Sequence, residues 1–200
     1  MQSPFQEEIV LENYYASKSS EHALQAIRQA VADGVRLLVL SGDEGSGKTM
    51  LCHKLDHDPQ SNVTTVFFPR TVDSFEDVVR IMALALGLDP QVKGEGFSLD
   101  GLLGEISESM LDRGAPVLLV FDEAENIYLA TLERIRKMLD RISGDGGLIH
   151  VLFAGRKTFM ENCQQLSMCD FKNNDEFQIS LEPLSEEEAE GYLYHCSAKI

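Results

Sequence analysis

A run of strand length, Val35-Arg36-Leu37-Leu38-Val39-Leu40, opens through Ser41 into Gly42-Asp43-Glu44-Gly45-Ser46-Gly47-Lys48-Thr49. Met50-Leu51-Cys52-His53-Lys54-Leu55 then continues without a breaker. Leucine-rich and β-branched residues favour an extended segment, the glycines a tight turn, and the unbroken follower a helix. Strand, glycine loop and helix in that order constrain the fold more than any other stretch, because they form the phosphate-binding unit of a parallel α/β sheet. The octet has the complete G-x-x-x-x-G-K-S/T spacing. Its glycines let the backbone turn N–H groups toward phosphate oxygens. Lys48 is placed to set an ammonium against β- and γ-phosphates, and the Thr49 hydroxyl to ligate Mg²⁺. The dipole of the following helix adds to the same anion site. Gly42, Asp43, Glu44, Gly45, Ser46, Gly47, Lys48 and Thr49 are therefore the expected binding loop for a nucleoside triphosphate with Mg²⁺. A glycine-rich turn that contains Lys-Thr by chance is the competing reading, and the flanking strand and helix count against it.

A second stretch adds the rest of the chemistry. Pro116-Val117-Leu118-Leu119-Val120-Phe121 is almost wholly apolar, as in a strand buried on both faces of a parallel sheet, and it ends in Asp122-Glu123. Asp122 is placed to hold Mg²⁺ through a water, and Glu123 to orient and deprotonate an attacking water. A strand that merely ends at an acidic helix cap is the alternative, outweighed by the loop upstream. A glutamate beside the metal-binding aspartate belongs to nucleotide-hydrolysing P-loop proteins rather than small-molecule kinases. The Asn-Lys-x-Asp stretch of a guanine-specific site is absent, so the expected nucleotide is ATP.

The remainder alternates in the same way. Residues 1–19 carry little periodicity, and Glu21 to Val31 has the spacing of an amphipathic helix. Asn62 to Phe68 reads as a strand ended by Pro69. Ser74 to Leu86 reads as a helix with Ser74 and Asp77 as a capping pair, and Ser98 to Arg113 as another after a loop over 87–97. Ala130 to Ile142 is a helix with Arg134, Lys137 and Arg141 on one face, either a subunit-contact surface or a solvated stripe. Leu148 to Ala154 is a buried strand ending at Gly155-Arg156, and Phe177 to Leu181 a short one. Ser185 and Glu188 form a capping box for a last helix. Arg156 is a candidate to contact the γ-phosphate, or else a surface arginine paired with a nearby acid. Five strands separated by helices predict one doubly wound α/β P-loop NTPase domain over residues 1–200.

Charge bounds the partners. Seventeen Lys and Arg against thirty-three Asp and Glu give −16 and a pI near 4.6. That composition argues against nucleic acid as a direct partner, since phosphate-backbone binding uses clustered Lys and Arg. The polar, acidic N-terminus is not a signal peptide and no apolar run reaches membrane-spanning length. A cytoplasmic location is expected, with membrane association only through segments outside this chain. Cys52, Cys163, Cys169 and Cys196 lack metal-site spacing and read as reduced thiols. His53 and His57, beside Asp56 and Asp58, read as a solvated turn rather than a metal clip.

Together the motifs resemble the AAA+ ATPases of the general secretion pathway protein A type, which include ATPases of type II secretion and MSHA-pilus biogenesis. The matching residues are His22 to Leu24, Ser41 to Thr49, Phe121-Asp122-Glu123-Ala124-Glu125-Asn126, Val151 to Gly155, Leu181 to Ser185, and Tyr192 to His195. The resemblance implies a parallel sheet in 5-1-4-3-2 order, an ATP site between subunits, and a small helical lid after the core. The lid is expected to be absent here, because the chain ends at Ile200, where it would begin. Arg156 stands where the family has a glutamine. No arginine occurs in Phe171-Lys172-Asn173-Asn174, near where the family carries one. Loss of a trans-acting arginine costs orders of magnitude in rate in P-loop enzymes.

The expected function is an ATP-binding and ATP-hydrolysing AAA+ domain that drives conformational change in a secretion or pilus-assembly machine. Its partners would be proteins of that complex and, in a nucleotide-dependent way, further copies of itself. Two alternatives stay open: a nucleotide-gated binding module with weak or no hydrolysis, and an ATPase of the transposition or replication-initiator type.

Overall fold

The computed structural model describes residues 11–58, 62–68, 72–90, 98–159 and 176–197. Strand β1 (Leu37–Gly42) lies between β4 (Ile149–Gly155) and β5 (Glu176–Leu181). Beyond β4 the sheet continues through β3 (Val117–Phe121) to β2 (Thr64–Phe68), and all five strands run parallel. This is the 5-1-4-3-2 order that the resemblance implied. Every residue of β3 and β4 is buried, because helices cover both faces.

Alternation along each strand divides the core in two. Leu38, Leu40, Leu118, Val120, Leu152 and Ala154 pack beneath α1 (Lys18–Ala32) and α2 (Lys48–Asp56). Leu37, Val39, Leu119, Phe121, Val151 and Phe153 face the opposite layer, made of α3 (Phe75–Ala85), α4 (Leu99–Arg113) and α5 (Leu129–Gly144). A last helix, α6 (Glu186–Ser197), follows β5. At the ends of β2 and β3, Phe68 and Phe121 stack with ring centroids 4.2 Å apart. Phe153 and Phe159 extend the row at 5.3 and 5.5 Å, giving this end of the sheet an aromatic floor.

Serines open the helices, each accepting an otherwise unpaired backbone N–H: Ser17 from Ser20, Ser74 from Asp77 and Ser98 from Gly101. Ser17 starts α1 at Lys18, earlier than periodicity alone placed it. Strand β1 is displaced toward the loop from the apolar run, because β5 carries the ladder as far as Gly42 opposite Leu181. The basic face of α5 is held by the protein's own acids. Arg134 pairs with Glu76 at 2.8 Å, Lys137 with Glu133 at 3.6 Å and Arg141 with Asp100 at 3.0 Å. The stripe is thus ion-paired, and two of its pairs tie α5 to α3 and α4.

His53 packs edge-on against Phe67, and the described residues hold no cluster of three or more metal-binding side chains. Cys52 and Cys196 are free and buried, whereas Cys163, Cys169 and the stretch 171–174 lie outside the described residues. No helix among the described residues is long and apolar enough to cross a membrane.

Candidate nucleotide site

The chain leaves β1 at Gly42 and turns over residues 43–47 before α2 starts at Lys48. Gly45 (φ 77°) and Gly47 (φ 92°) adopt left-handed backbone, which other L-residues enter only with strain. Gly42 is small for another reason: a Cβ there would stand 2.6 Å from Ser46 Oγ and 3.3 Å from the Leu181 carbonyl. The loop therefore closes tightly against the end of β5. Lys48 arches back over it, with Nζ donating to the carbonyls of Gly42 (2.9 Å) and Asp43 (2.8 Å). Ser46 Oγ is buried beside Gly42 without a protein partner, an unusual cost unless the loop takes a polar ligand.

Strand β3 delivers the carboxylates. Asp122 is buried; its N–H bonds the Phe68 carbonyl of β2 at 3.1 Å and its Oδ1 accepts the Glu123 N–H at 3.0 Å. The next residue turns outward. Glu123 has φ 50° and ψ 42°, making it the non-glycine residue with positive φ among those described. Its carboxylate reaches solvent, where Asn126 Nδ2 approaches Oε2 at 3.4 Å. A buried carboxylate and an exposed one thus stand on consecutive residues.

Cys52 is buried in α2. Burial pushes its thiol up, the Asp122 carboxylate adds to that, and the Lys48 ammonium acts in the opposite sense.

Strand β4 ends beside them. Arg156 donates from Nη2 to Glu44 at 3.2 Å, while its Nε lies 3.4 Å from Glu125 Oε1 and its backbone N–H 3.3 Å from Oε2. Lys157 approaches Asp43 at 3.8 Å. Arg156 stands beside the loop with acids holding it, which is the second of its two readings. Gly155 is small because a Cβ would lie 2.7 Å from Glu125 Oε2. Glu125 and Lys157 were not singled out as functional in the sequence. Glu125 had a signal in its place within the Phe121–Asn126 stretch that carries the resemblance, two residues beyond Glu123.

Helix α6 docks on the start of α1. The Lys18 N–H donates to Glu188 Oε1 at 3.0 Å, the Glu182 N–H to Ser19 Oγ at 2.9 Å, and Tyr15 meets Tyr192 and His195 edge-on at 5.8 Å each. The backbone N–H groups of Lys18 and Ser185 hold the Glu188 carboxyl below its usual range. A cavity of about 250 Å³ lined by Ile27, Leu55, Val63 and Leu118 lies at the other end of the sheet, away from these residues.

The glycine cradle, the unpaired buried Ser46 hydroxyl and the buried oxygen donor Asp122 fit a Mg²⁺-bound polyphosphate. Fold and site together define a nucleotide-binding P-loop domain of the α/β class. Residues 27–162, more than half of the chain, match the AAA domain family, and the chain belongs to that family.

No curated protein matches the chain. Among solved structures it resembles Cdc6p from Pyrobaculum aerophilum, at 18% identity and TM-score 0.73, covering 98% of this chain and 52% of that one. It also resembles the Aeropyrum pernix ORC1 protein in complex with DNA, at 15% identity and TM-score 0.64, covering 100% and 55%. Domain III of the Thermotoga maritima replication initiation protein DnaA follows at 17% identity and TM-score 0.50, covering 96% and 75%. At these identities the likeness is one of fold. The chain spans about half the length of the first two.

Proposed function

We propose that this chain binds Mg·ATP at the Gly42–Thr49 loop and hydrolyses it, using the cycle to change its conformation against a protein partner. The amides of residues 44–49 and Lys48 would hold the phosphates, Thr49 and Asp122 would hold Mg²⁺, and Arg156 would meet the terminal phosphate. Mg²⁺, when bound, neutralises charge on phosphate oxygens. Glu123 would take the proton of the attacking water. Its exposed carboxylate, one residue beyond buried Asp122, is the observation that carries this reading. Asn126 Nδ2 approaches that carboxylate, and the left-handed backbone of Glu123 turns it out of the line of the strand.

The test is Glu123→Gln. Nucleotide binding should persist, while turnover falls by about 10²- to 10⁴-fold, the usual contribution of a positioned base. Equal turnover by variant and parent overturns the role. Binding without turnover in the parent itself points instead to a nucleotide-gated module.

For the partner class, the Glu182-Pro183-Leu184 end with Tyr192 and His195 supports a secretion or pilus-assembly machine. A second reading, an ATPase of the replication-initiator type, is favoured by the fold's likeness to a DNA-bound ORC1 and to a replication initiation protein. The charge of −16 opposes it. Anisotropy with labelled duplex DNA at low salt separates the two: ATP-dependent binding supports the initiator reading, and none supports a protein partner.

A further inference from the structure

We infer that the Glu44 carboxylate is a built-in competitor for the terminal phosphate of ATP, and that Arg156, oriented by Glu125, is the cation they compete for. The inference rests on the nucleotide-site reading above. Its basis is the unequal hold of two acids on one guanidinium. Glu125, with a side chain only 21% exposed, engages Arg156 twice, at the backbone N–H and at Nε. Glu44, 84% exposed, engages one terminal nitrogen, Nη2.

A guanidinium has five donors in a rigid fork, so Arg156 can keep Glu125 through Nε while Nη2 changes partner. A phosphate bearing more charge and more acceptor oxygens than a carboxylate wins such an exchange, particularly against a partner fixed only at the surface. Asp43 and Lys157 repeat the arrangement across the same gap at 3.8 Å, so the loop tip is drawn toward the end of β4 by two acid–base pairs. Lys48, by contrast, rests on neutral carbonyls, and its release sets no anion free.

The consequence is nucleotide discrimination. ADP fills the loop and leaves Arg156 on Glu44. ATP brings the terminal phosphate, takes Nη2 and frees the Glu44 carboxylate, so that one of the two pairs drawing the loop tip to β4 is lost. Glu44 therefore weakens ATP more than ADP, and Glu125 is a positioning residue that keeps Arg156 within reach of both competitors.

The experiment measures Mg²⁺-dependent binding of a fluorescent non-hydrolysable ATP analogue and of fluorescent ADP to the parent, Glu44→Gln, Arg156→Ala, Glu125→Gln and the Glu44→Gln/Arg156→Ala double variant. Thermal melts of each establish that it is folded. Glu44→Gln should raise the ratio of triphosphate to diphosphate affinity by about three- to fivefold, the scale of an exposed ion pair. Glu125→Gln should lower that ratio, and the gain from Glu44→Gln should vanish in the Arg156→Ala background. An unchanged ratio in Glu44→Gln, or a gain that survives loss of Arg156, overturns the inference while leaving the site reading intact. A parent that binds neither nucleotide removes both.

Discussion

At the scale of single residues, the site is built from small departures from relaxed geometry. Glu123 occupies left-handed backbone, which costs an L-residue about 1–2 kcal/mol. That conformation turns the carboxylate outward directly after a buried aspartate. Glu123→Gly should therefore raise stability by about 1 kcal/mol in urea denaturation while abolishing turnover, a gain typical of relieved active-site strain. Loss of stability would contradict the strain. The loop and Asp122-Glu123 were legible in the sequence because their spacing is local. The Glu125–Arg156 contact was not, since the two residues are far apart in sequence and meet only because β3 and β4 are neighbours in the sheet. Arg156 itself could be named, but whether it faced the loop or an acid depended on which side of the strand end held Glu44 and Glu125.

At the scale of elements, alternation and capping explain most of what could be read in advance. Strand β3 announced itself as an unbroken apolar run and β4 as one interrupted only by His150, and Ser74, Ser98 and Ser185 marked helix starts that the hydrogen bonds bear out. Strand β1 was read too early, because its limits follow from pairing with β5 and not from its own hydrophobicity. The strand order came from resemblance; periodicity within a strand carries no information about its neighbours. Unequal costs should follow from these roles. Phe121→Ala empties the centre of the aromatic row and should cost about 3–5 kcal/mol, whereas Ser98→Ala removes one cap and should cost about 1 kcal/mol. Urea titrations of the two variants check the ranking, and comparable losses would mean that the row is not a structural floor.

At the scale of the whole molecule, the two cores share a sheet whose middle strand buries a titratable group near its start. His150 is buried in β4 with Nδ1 2.7 Å from the Val35 carbonyl, and burial holds its imidazole below the usual 6.5. The unfolded chain then binds this proton more readily than the folded one as pH falls below 6.5, so stability is lost on acidification. The slope from this one group is at most about 1.4 kcal/mol per pH unit. Urea melts at stepped pH should show it in the parent and a flatter profile in His150→Gln; identical profiles would assign the acid sensitivity to other groups.

The same sheet sets the loop, the carboxylate pair and Arg156 at one end, and the claim that this end is a nucleotide site is open to a direct check. Calorimetric titration of the parent and Lys48→Ala with Mg·ATP is that measurement. One saturable site in the parent, weakened at least about 100-fold when the loop ammonium is removed, is the expected result. No binding in the parent, or equal affinity in Lys48→Ala, would contradict it.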